Sequence, residues 1–465
     1  MLRQTGQIFS RRLDNHKVEN NNTMIAIHQL STIDEKSLKK LMKRAHEDID
    51  SIKPAVEKII DAVKSEGDAA LVRFTKEWDD PDYDASRLRV TADDIKEAYR
   101  ETNPVVIERI KEQIALSRRF HELQKTQISG WSKELEPGIT VGEKWTPISA
   151  VGLYVPGGKN PFPTVQQILA VAAKTAGCSR IASCISPRGK GYEVLIAANE
   201  CGVTEIYRLG GAQAIAALAY GTESIAPVSL VAGPGSPYVT CAKILCQAKI
   251  AIDMPAGPSE AIILADGTTP GEFDLQTKAK YCAADILARA EHGPDSAGLL
   301  VTDSQKLADL TKAEIEKQFQ SLSRQEYVKK ALANYSAIIV TPSMKDATEF
   351  TNKYAPEHLE ILTADPESTL ADIHDAGSAF LGYYNPVATG DYATGINHVL
   401  PSCGWARQTS PVGVWTFMKR VQFSSLTKAG LERLTPIVQT IADVEGLDAH
   451  KRSVEIRFEK QAAPA

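Results

Sequence analysis

Val151-Gly-Leu-Tyr-Val155, closed by Pro156-Gly157-Gly158, is a short apolar run ended by turn residues, which reads as a strand and its turn. Further strands recur downstream, each separated from the last by a helix. Residues 164–176 carry helical spacing, 180–185 read as a strand, 192–200 as a helix, 205–209 as a strand, 212–219 as a helix, 228–231 as a strand and 238–249 as a helix. Strands alternating with helices this short argue a parallel sheet joined by crossover helices. The alternation resumes past residue 260: strands at 261–265, 298–301, 337–340 and 378–381, with helices through 290, up to 333 and over 344–353. Outside these stretches, 34–49, 55–74 (with Pro54 near its start) and 104–123 read as helices, 90–98 as a short strand, and the tail from about 405 as helical again.

Composition bounds the rest. A chain of 465 residues, 43% hydrophobic and 24% charged, exceeds one ordinary core and has a globular profile. A net charge of -5 makes no case for nucleic acid or an anionic membrane as partner. No apolar run reaches the roughly 18 residues of a membrane span. The seven cysteines, at 178, 184, 201, 241, 246, 282 and 403, include no C-x-x-C pair and read as inert thiols of a reducing, cytoplasmic setting. Residues 1–23 hold Arg3, Arg11 and Arg12, no acid before residue 14, and the tract Asn20-Asn21-Asn22. They read either as an extension before an alternative start at Met24 or as an organelle transit peptide. The first reading is preferred, because the arginines fall on no clear amphipathic helix.

Chemistry-bearing residues gather in four places. No G-x-G-x-x-G follows a strand, so the usual dinucleotide fingerprint is absent. Three glycine turns, Gly157-Gly158, Gly210-Gly211 and Gly233-Pro234-Gly235, nevertheless sit at C-terminal strand ends, where open α/β sheets bind ligands. Each is also an ordinary tight turn. Glu291-His292 closes a helix stopped by Gly293-Pro294, with Arg289 on the same face. A helix-end histidine serves equally as a dipole partner. Glu357-His358 follows Tyr354-Ala-Pro356, and glutamate beside histidine suits proton transfer, though it also suits a surface pair. Gly390-Asp-Tyr-Ala-Thr-Gly-Ile-Asn-His398 packs an Asp, an Asn and a His into one glycine-bracketed loop, and Glu445-Gly-Leu-Asp-Ala-His450 ends the tail. One aspartate and two histidines are a donor set that suits zinc with a position open for substrate.

Together these segments resemble histidinol dehydrogenase, in family order from about residue 141 to 457. The resemblance rests on the turns quoted above and on Gly210-Gly-Ala-Gln-Ala-Ile-Ala-Ala-Leu-Ala-Tyr-Gly-Thr222, Ala256-Gly-Pro-Ser-Glu260, Ala290-Glu-His292, Glu357-His-Leu-Glu360, Gly390-Asp-Tyr392, Asn397-His-Val-Leu-Pro401 and Glu445-Gly-Leu447 with His450. It implies an α/β fold of two Rossmann-like parallel-sheet domains, one over 151–254 and one discontinuous over 51–150 and 255–404. Small helical segments at 24–50 and 405–465 would be exchanged in a homodimer with a shared active site. It implies one zinc per subunit on His292, Asp391 and His450, the last from the partner. Glu357 and His358 become acid/base residues, with His398 an accessory catalytic group. The substrate would lie among Ser259, Arg289, His292, His358, Asp391, Glu445 and His450, and NAD against Tyr154, Gln213 and Ser236.

Departures from the family pattern are informative. The usual fourth zinc ligand is a glutamine three residues before the first histidine, and that position is Arg289. A guanidinium offers no lone pair and cannot ligate zinc. The cofactor-binding asparagine after Gly-Pro-Gly is Ser236, the stretch Asn160-Pro-Phe-Pro-Thr-Val-Gln-Gln167 differs from the usual serine-rich one, and residues 273–280 read as a short insertion. The resemblance implies oxidation of L-histidinol to L-histidine through the aldehyde in two hydride transfers, the last step of histidine biosynthesis. A second reading is a family paralogue oxidising another small polar or anionic alcohol, which Arg289 would attract. A third, a catalytically silent binding paralogue, is opposed by Glu357, His358, Asp391, His398 and His450 occurring together. Whether the nucleotide is NAD or NADP is left open.

Overall fold

A computed structural model describes residues 24–45, 49–157 and 161–459. The expectations for residues 1–23, and for Gly158 and Asn160, lie outside the described residues. The chain forms two compact units.

The first unit contains residues 24–45, 258–375 and 381–384. Its sheet runs, in spatial order, Ala26–Gln29, Ala337–Val340, Ala297–Thr302, Glu260–Ala265 and His358–Leu362, these five paired in parallel, and then Ser378–Leu381. The four central strands are buried at every position, as expected of a parallel sheet covered on both faces. The helix Leu275–Ala290 starts where Asp274 accepts the Thr277 N–H at 2.7 Å. It buries Ala279, Cys282, Ala283, Ile286, Leu287 and Ala290, the i, i+3, i+4 spacing of a core-facing stripe. Ile263, Leu300 and Ile338 meet that stripe from the sheet.

The N-terminal segment corrects one expectation. Residues 24–50 read as helical, yet Ala26–Gln29 is a strand paired in parallel with Ala337–Val340, Ala26 opposite Ala337. Four residues are too few to show a period, and the edge of a neighbouring strand decided the conformation. Helix begins only at Glu35–Lys43, capped by Asp34, and ends at Arg44.

The second unit contains residues 49–257, 376–380 and 385–459. Its parallel sheet runs Glu205–Arg208, Arg180–Ile185, Ala150–Val155, Leu230–Ala232 and Ala251–Ile252. The helices Pro163–Ala176, Tyr192–Glu200, Gly211–Tyr220 and Pro237–Cys246 connect these strands, close to the expected alternation. Residues 90–98, expected as a strand, belong instead to the helix Ala92–Glu101. The deciding feature is a capping box: Thr91 N–H donates to Asp94 at 2.7 Å and Asp94 N–H donates back to Thr91 Oγ1 at 3.2 Å. A three-stranded antiparallel sheet, Trp131–Glu136, Ile139–Pro147 and Met418–Leu426, has no counterpart in the sequence reading. The outer strands are almost wholly exposed, so their residues carry no apolar alternation, and Met418–Leu426 interrupts the helical tail.

The helices Ile49–Glu66 and Asp68–Trp78 pack Val56, Ile59, Val63 and Leu71 against Ala214, Ile215 and Leu218 of Gly211–Tyr220. Residues 51–78 thus share a core with the 151–254 sheet, whereas the sequence reading grouped them with 255–404.

Ile25, 1% exposed, anchors the edge strand in the first unit's core. Ile25→Ala should destabilise by about 2–5 kcal/mol, the usual range for a buried Ile-to-Ala change. Thermal unfolding should show the loss; an unchanged transition would mean that the edge strand contributes nothing to that core.

Candidate active site

Parallel pairing sets His358 opposite Ala261, so the peptides of Glu260 and Glu357 lie side by side where two strands begin. Three bonds join them. Glu260 N–H donates to Glu357 Oε2 at 2.9 Å, Glu357 N–H donates to Glu260 Oε1 at 3.3 Å, and His358 Nδ1 lies 3.0 Å from the Glu260 carbonyl. A carbonyl can only accept, so Nδ1 carries the proton and Nε2 is the basic nitrogen. Glu357 Oε2 is also 3.5 Å from His358 Nδ1 and accepts the Ser259 hydroxyl at 3.2 Å. Burial acts to raise the Glu357 carboxyl. The charge and hydrogen bond of His358, together with Arg289, outweigh it and hold the carboxyl below its ordinary value. Glu357 is therefore an anion at neutral pH, and His358, 2% exposed, sits within a fixed tautomeric frame.

Arg289 approaches from the end of Leu275–Ala290. Its Nη1 donates to Ser259 Oγ at 2.7 Å, so it faces the site rather than solvent. One turn earlier on the same helix lies Asp285, hydrogen-bonded to Glu360. Burial is the main cause that raises both carboxyls, Asp285 to about 6 and Glu360 well above its usual range; the Asp285 charge raises Glu360 further, whereas the hydrogen bond from Glu360 and the Arg289 charge pull Asp285 down. Such a pair shares a proton near neutrality. Beyond it His292 is exposed, one residue past the helix's C-cap.

In the second unit, Tyr154, Gln213 and the 233–235 turn cluster at the C-terminal ends of Ala150–Val155 and Leu230–Ala232. Gly211 N–H donates to the Tyr154 hydroxyl at 3.1 Å, and burial pushes that phenol up to about 12, so it stays neutral. Gly233 has φ +132, and a Cβ there would lie 2.0 Å from the Tyr154 carbonyl oxygen, so only glycine fits. Gln213 is fully buried, and neither amide atom has a hydrogen-bond partner. Ser236 is the exposed N-cap residue of Pro237–Cys246. Asp391 lies in the short helix Val387–Tyr392, His398 follows it partly buried, and Glu445 and His450 are exposed. Among the described residues no three His, Cys, Asp or Glu side chains converge as a metal site.

The chain matches the histidinol dehydrogenase family profile over residues 42–458. The chain belongs to the histidinol dehydrogenase family. Histidinol dehydrogenase of Methanothermobacter thermautotrophicus is 40% identical over 92% of this chain and 99% of its own. That of Vibrio vulnificus is 42% identical over 89% of this chain and 93% of its own. A crystal structure of histidinol dehydrogenase from Elizabethkingia anophelis superposes with a TM-score of 0.86 at 34% identity, covering 94% of this chain and 99% of that one. The solved relative covers nearly all of this chain, so the two α/β units have the fold of a histidinol dehydrogenase.

Within this family member the sequence reading found Ser259, Arg289, Glu357 and His358, and the structure brings those four together. It overlooked Glu260 and Glu360, although both stand in quoted motifs, because acidic residues inside a buried strand carry no spacing signal. It also overlooked Asp285 and His121. The latter is fully buried, its ring held low in pKa by burial, and Asn397 Nδ2 lies 3.4 Å from its Nε2, steadying the loop before His398.

The shared proton predicts a pH effect. Asp285 is raised from 3.8 to about 6, so between those values the folded chain binds more protons than the unfolded one. Stability from this pair is therefore present at low pH and lost as pH rises through about 6. Glu360→Gln keeps a hydrogen bond and removes one charge, so its melting temperature should gain on the wild type between pH 5 and 7.5. A difference that stays constant across that range would show that the pair does not share a proton.

Proposed function

We propose that this chain oxidises L-histidinol to L-histidine through the aldehyde, in two hydride transfers to NAD, as a cytoplasmic zinc-dependent homodimer. The observation that carries the reading is the Glu357–His358 pair fixed on the Glu260 peptide. His358 Nε2, with Nδ1 occupied by a carbonyl, is set to take the alcohol proton as hydride leaves. Glu357, anionic and held by two donors, is set to take a proton from the water that attacks the aldehyde. Ser259 orients Glu357; the proposed substrate set is Ser259, Arg289, His292, His358, Asp391, Glu445 and His450, with His398 an accessory catalytic group.

Two bound groups are required. His292, Asp391 and His450 have the donor chemistry for zinc, and Arg289 has none. Tyr154, Gln213 and Ser236 suit NAD, and the buried, unpartnered amide of Gln213 is the feature that best fits a missing polar ligand. When bound, zinc supplies a fixed positive centre for the substrate's nitrogen donors and NAD the hydride acceptor. The homodimer reading is supported by the tail helix Lys428–Glu445, which exposes Ile437, Ile441 and Val444 at 61%, 51% and 79%, on one face just before His450. The cytoplasmic reading is supported by buried thiols at Cys178, Cys184, Cys201, Cys241, Cys246 and Cys282. No described helix is long and apolar enough to cross a membrane.

A second reading, oxidation of an anionic alcohol, is favoured by one observation: the Arg289 guanidinium reaches Ser259 inside the site.

Turnover with L-histidinol beside a panel of anionic diols decides between them. On the first reading L-histidinol is the best substrate, chelation abolishes turnover, and His292→Ala or His450→Ala protein loses zinc. A clear preference for the anionic panel selects the second; unchanged turnover in chelator, from protein free of metal, removes the zinc assignment.

The two chemical roles separate by half-reaction. His358→Asn should slow alcohol oxidation by about 10²–10⁴-fold, the usual contribution of a general base. Glu357→Gln should slow chiefly the step from supplied aldehyde to acid, with zinc and NAD still bound. Small, equal losses in both variants for both half-reactions would remove proton transfer from this pair.

A further inference from the structure

The turn that delivers Glu357 and His358 contains an unusual backbone. Ala355 has φ 52 and is fully buried, a left-handed conformation that a residue with a Cβ adopts only under constraint. Pro356 follows and fixes the next torsion. Something must hold the peptides on either side of this pair, and one side chain reaches both.

Arg44, at the C-cap of the helix Glu35–Lys43, buries its guanidinium there, its side chain 4% exposed. Nη2 donates to the Tyr354 carbonyl, directly before Ala355. Nη1 donates at 3.0 Å to Glu260 Oε1, the same oxygen that accepts the Glu357 N–H, directly after Pro356. The guanidinium carbon lies 3.7 Å from the centroid of the Tyr354 ring, so the plane is stacked as well as bonded. Glu260 in turn holds Glu357 Oε2 with its N–H and His358 Nδ1 with its carbonyl. A buried ion pair is weak evidence for stability and better evidence for geometric specification. A fork with fixed angles suits that task, and a lysine's single point of charge does not.

We propose that Arg44 is a positioning residue for the Glu357–His358 pair, acting through the Tyr354 carbonyl and the Glu260 carboxylate. It touches neither substrate nor cofactor in this role. The proposal rests on the reading of that pair as the proton-transfer groups.

Arg44→Lys and Arg44→Met, as full-length enzyme loaded with zinc, test it. Misplacing a reacting group by an ångström costs up to about a hundredfold. Arg44→Lys should lower kcat by about tenfold to a hundredfold, and Arg44→Met by at least as much. KM for the alcohol, NAD affinity and zinc content should stay within about threefold, the pattern of a lost transition-state interaction. For the alcohol half-reaction alone, Arg44→Lys in a His358→Asn background should cost nothing further, because the group it positions for that step is gone. Should Arg44→Met fail to fold, Arg44→Lys keeps the buried charge and carries the test. Wild-type kcat in folded Arg44→Lys, a full additive loss on top of His358→Asn in the alcohol half-reaction, or an Arg44→Lys chain that does not fold would each overturn the proposal. Failure of the underlying reading is distinct, since it shows as wild-type turnover in His358→Asn with Arg44 intact.

Discussion

The peptide of Glu260 is where the first unit's architecture becomes chemistry. Parallel pairing of Glu260–Ala265 with His358–Leu362 fixes which backbone groups stand at the start of both strands. A parallel ladder leaves the first N–H and C=O of its strands to find partners outside the ladder. Here they find Glu357 Oε2 and His358 Nδ1. The tautomer of His358 thus follows from sheet register, and the Glu357 carboxylate is held by the same peptide together with the Ser259 hydroxyl. A one-residue slip in that register would turn His358 to the other face of the sheet.

This places the pair at the N-terminal edge of its sheet, against the usual rule that open α/β sheets bind at C-terminal strand ends. In the second unit, Tyr154 and the glycine turns at 210–211 and 233–235 stand at C-terminal strand ends, where the rule places a ligand. The first departs from it because the helix Leu275–Ala290 runs back along the sheet, so Arg289 and His292 arrive at the edge from which the strands start. Ala297 N–H bonds the Ser259 carbonyl at 3.0 Å, closing that edge.

Much of this was legible in the sequence, for physical reasons that differ by region. Parallel strands buried on both faces read as short apolar runs, and Ala150–Val155, Arg180–Ile185 and Ala337–Val340 were found within a residue. Exposed antiparallel strands have no apolar face, so Trp131–Glu136 and Met418–Leu426 were invisible. The strand His358–Leu362 was hidden for the opposite reason: His358 and Glu360 put polar groups in a fully buried strand, and their partners come from distant parts of the chain. The site residues Ser259, Glu357 and His358 were legible through ordered motifs. Arg44 was not, because nothing local to 44 announces a partner more than two hundred residues away.

Arg289 brings a positive charge up to Ser259, and its neighbours limit what that charge can do. An unaccompanied guanidinium beside Ser259 would make the site attract anions. This one has Glu357, held anionic, within Coulombic reach, and the Asp285–Glu360 pair one turn back, which carries about one further negative charge while it shares a proton. The Arg289 charge is thus offset by anionic neighbours of the same chain. The positive charge that Arg289 brings is therefore compensated by acidic groups of the same helix and the neighbouring strand. On the proposed zinc reading, Arg289 would thus remove a fourth ligand more than it would change the charge of the molecule accepted.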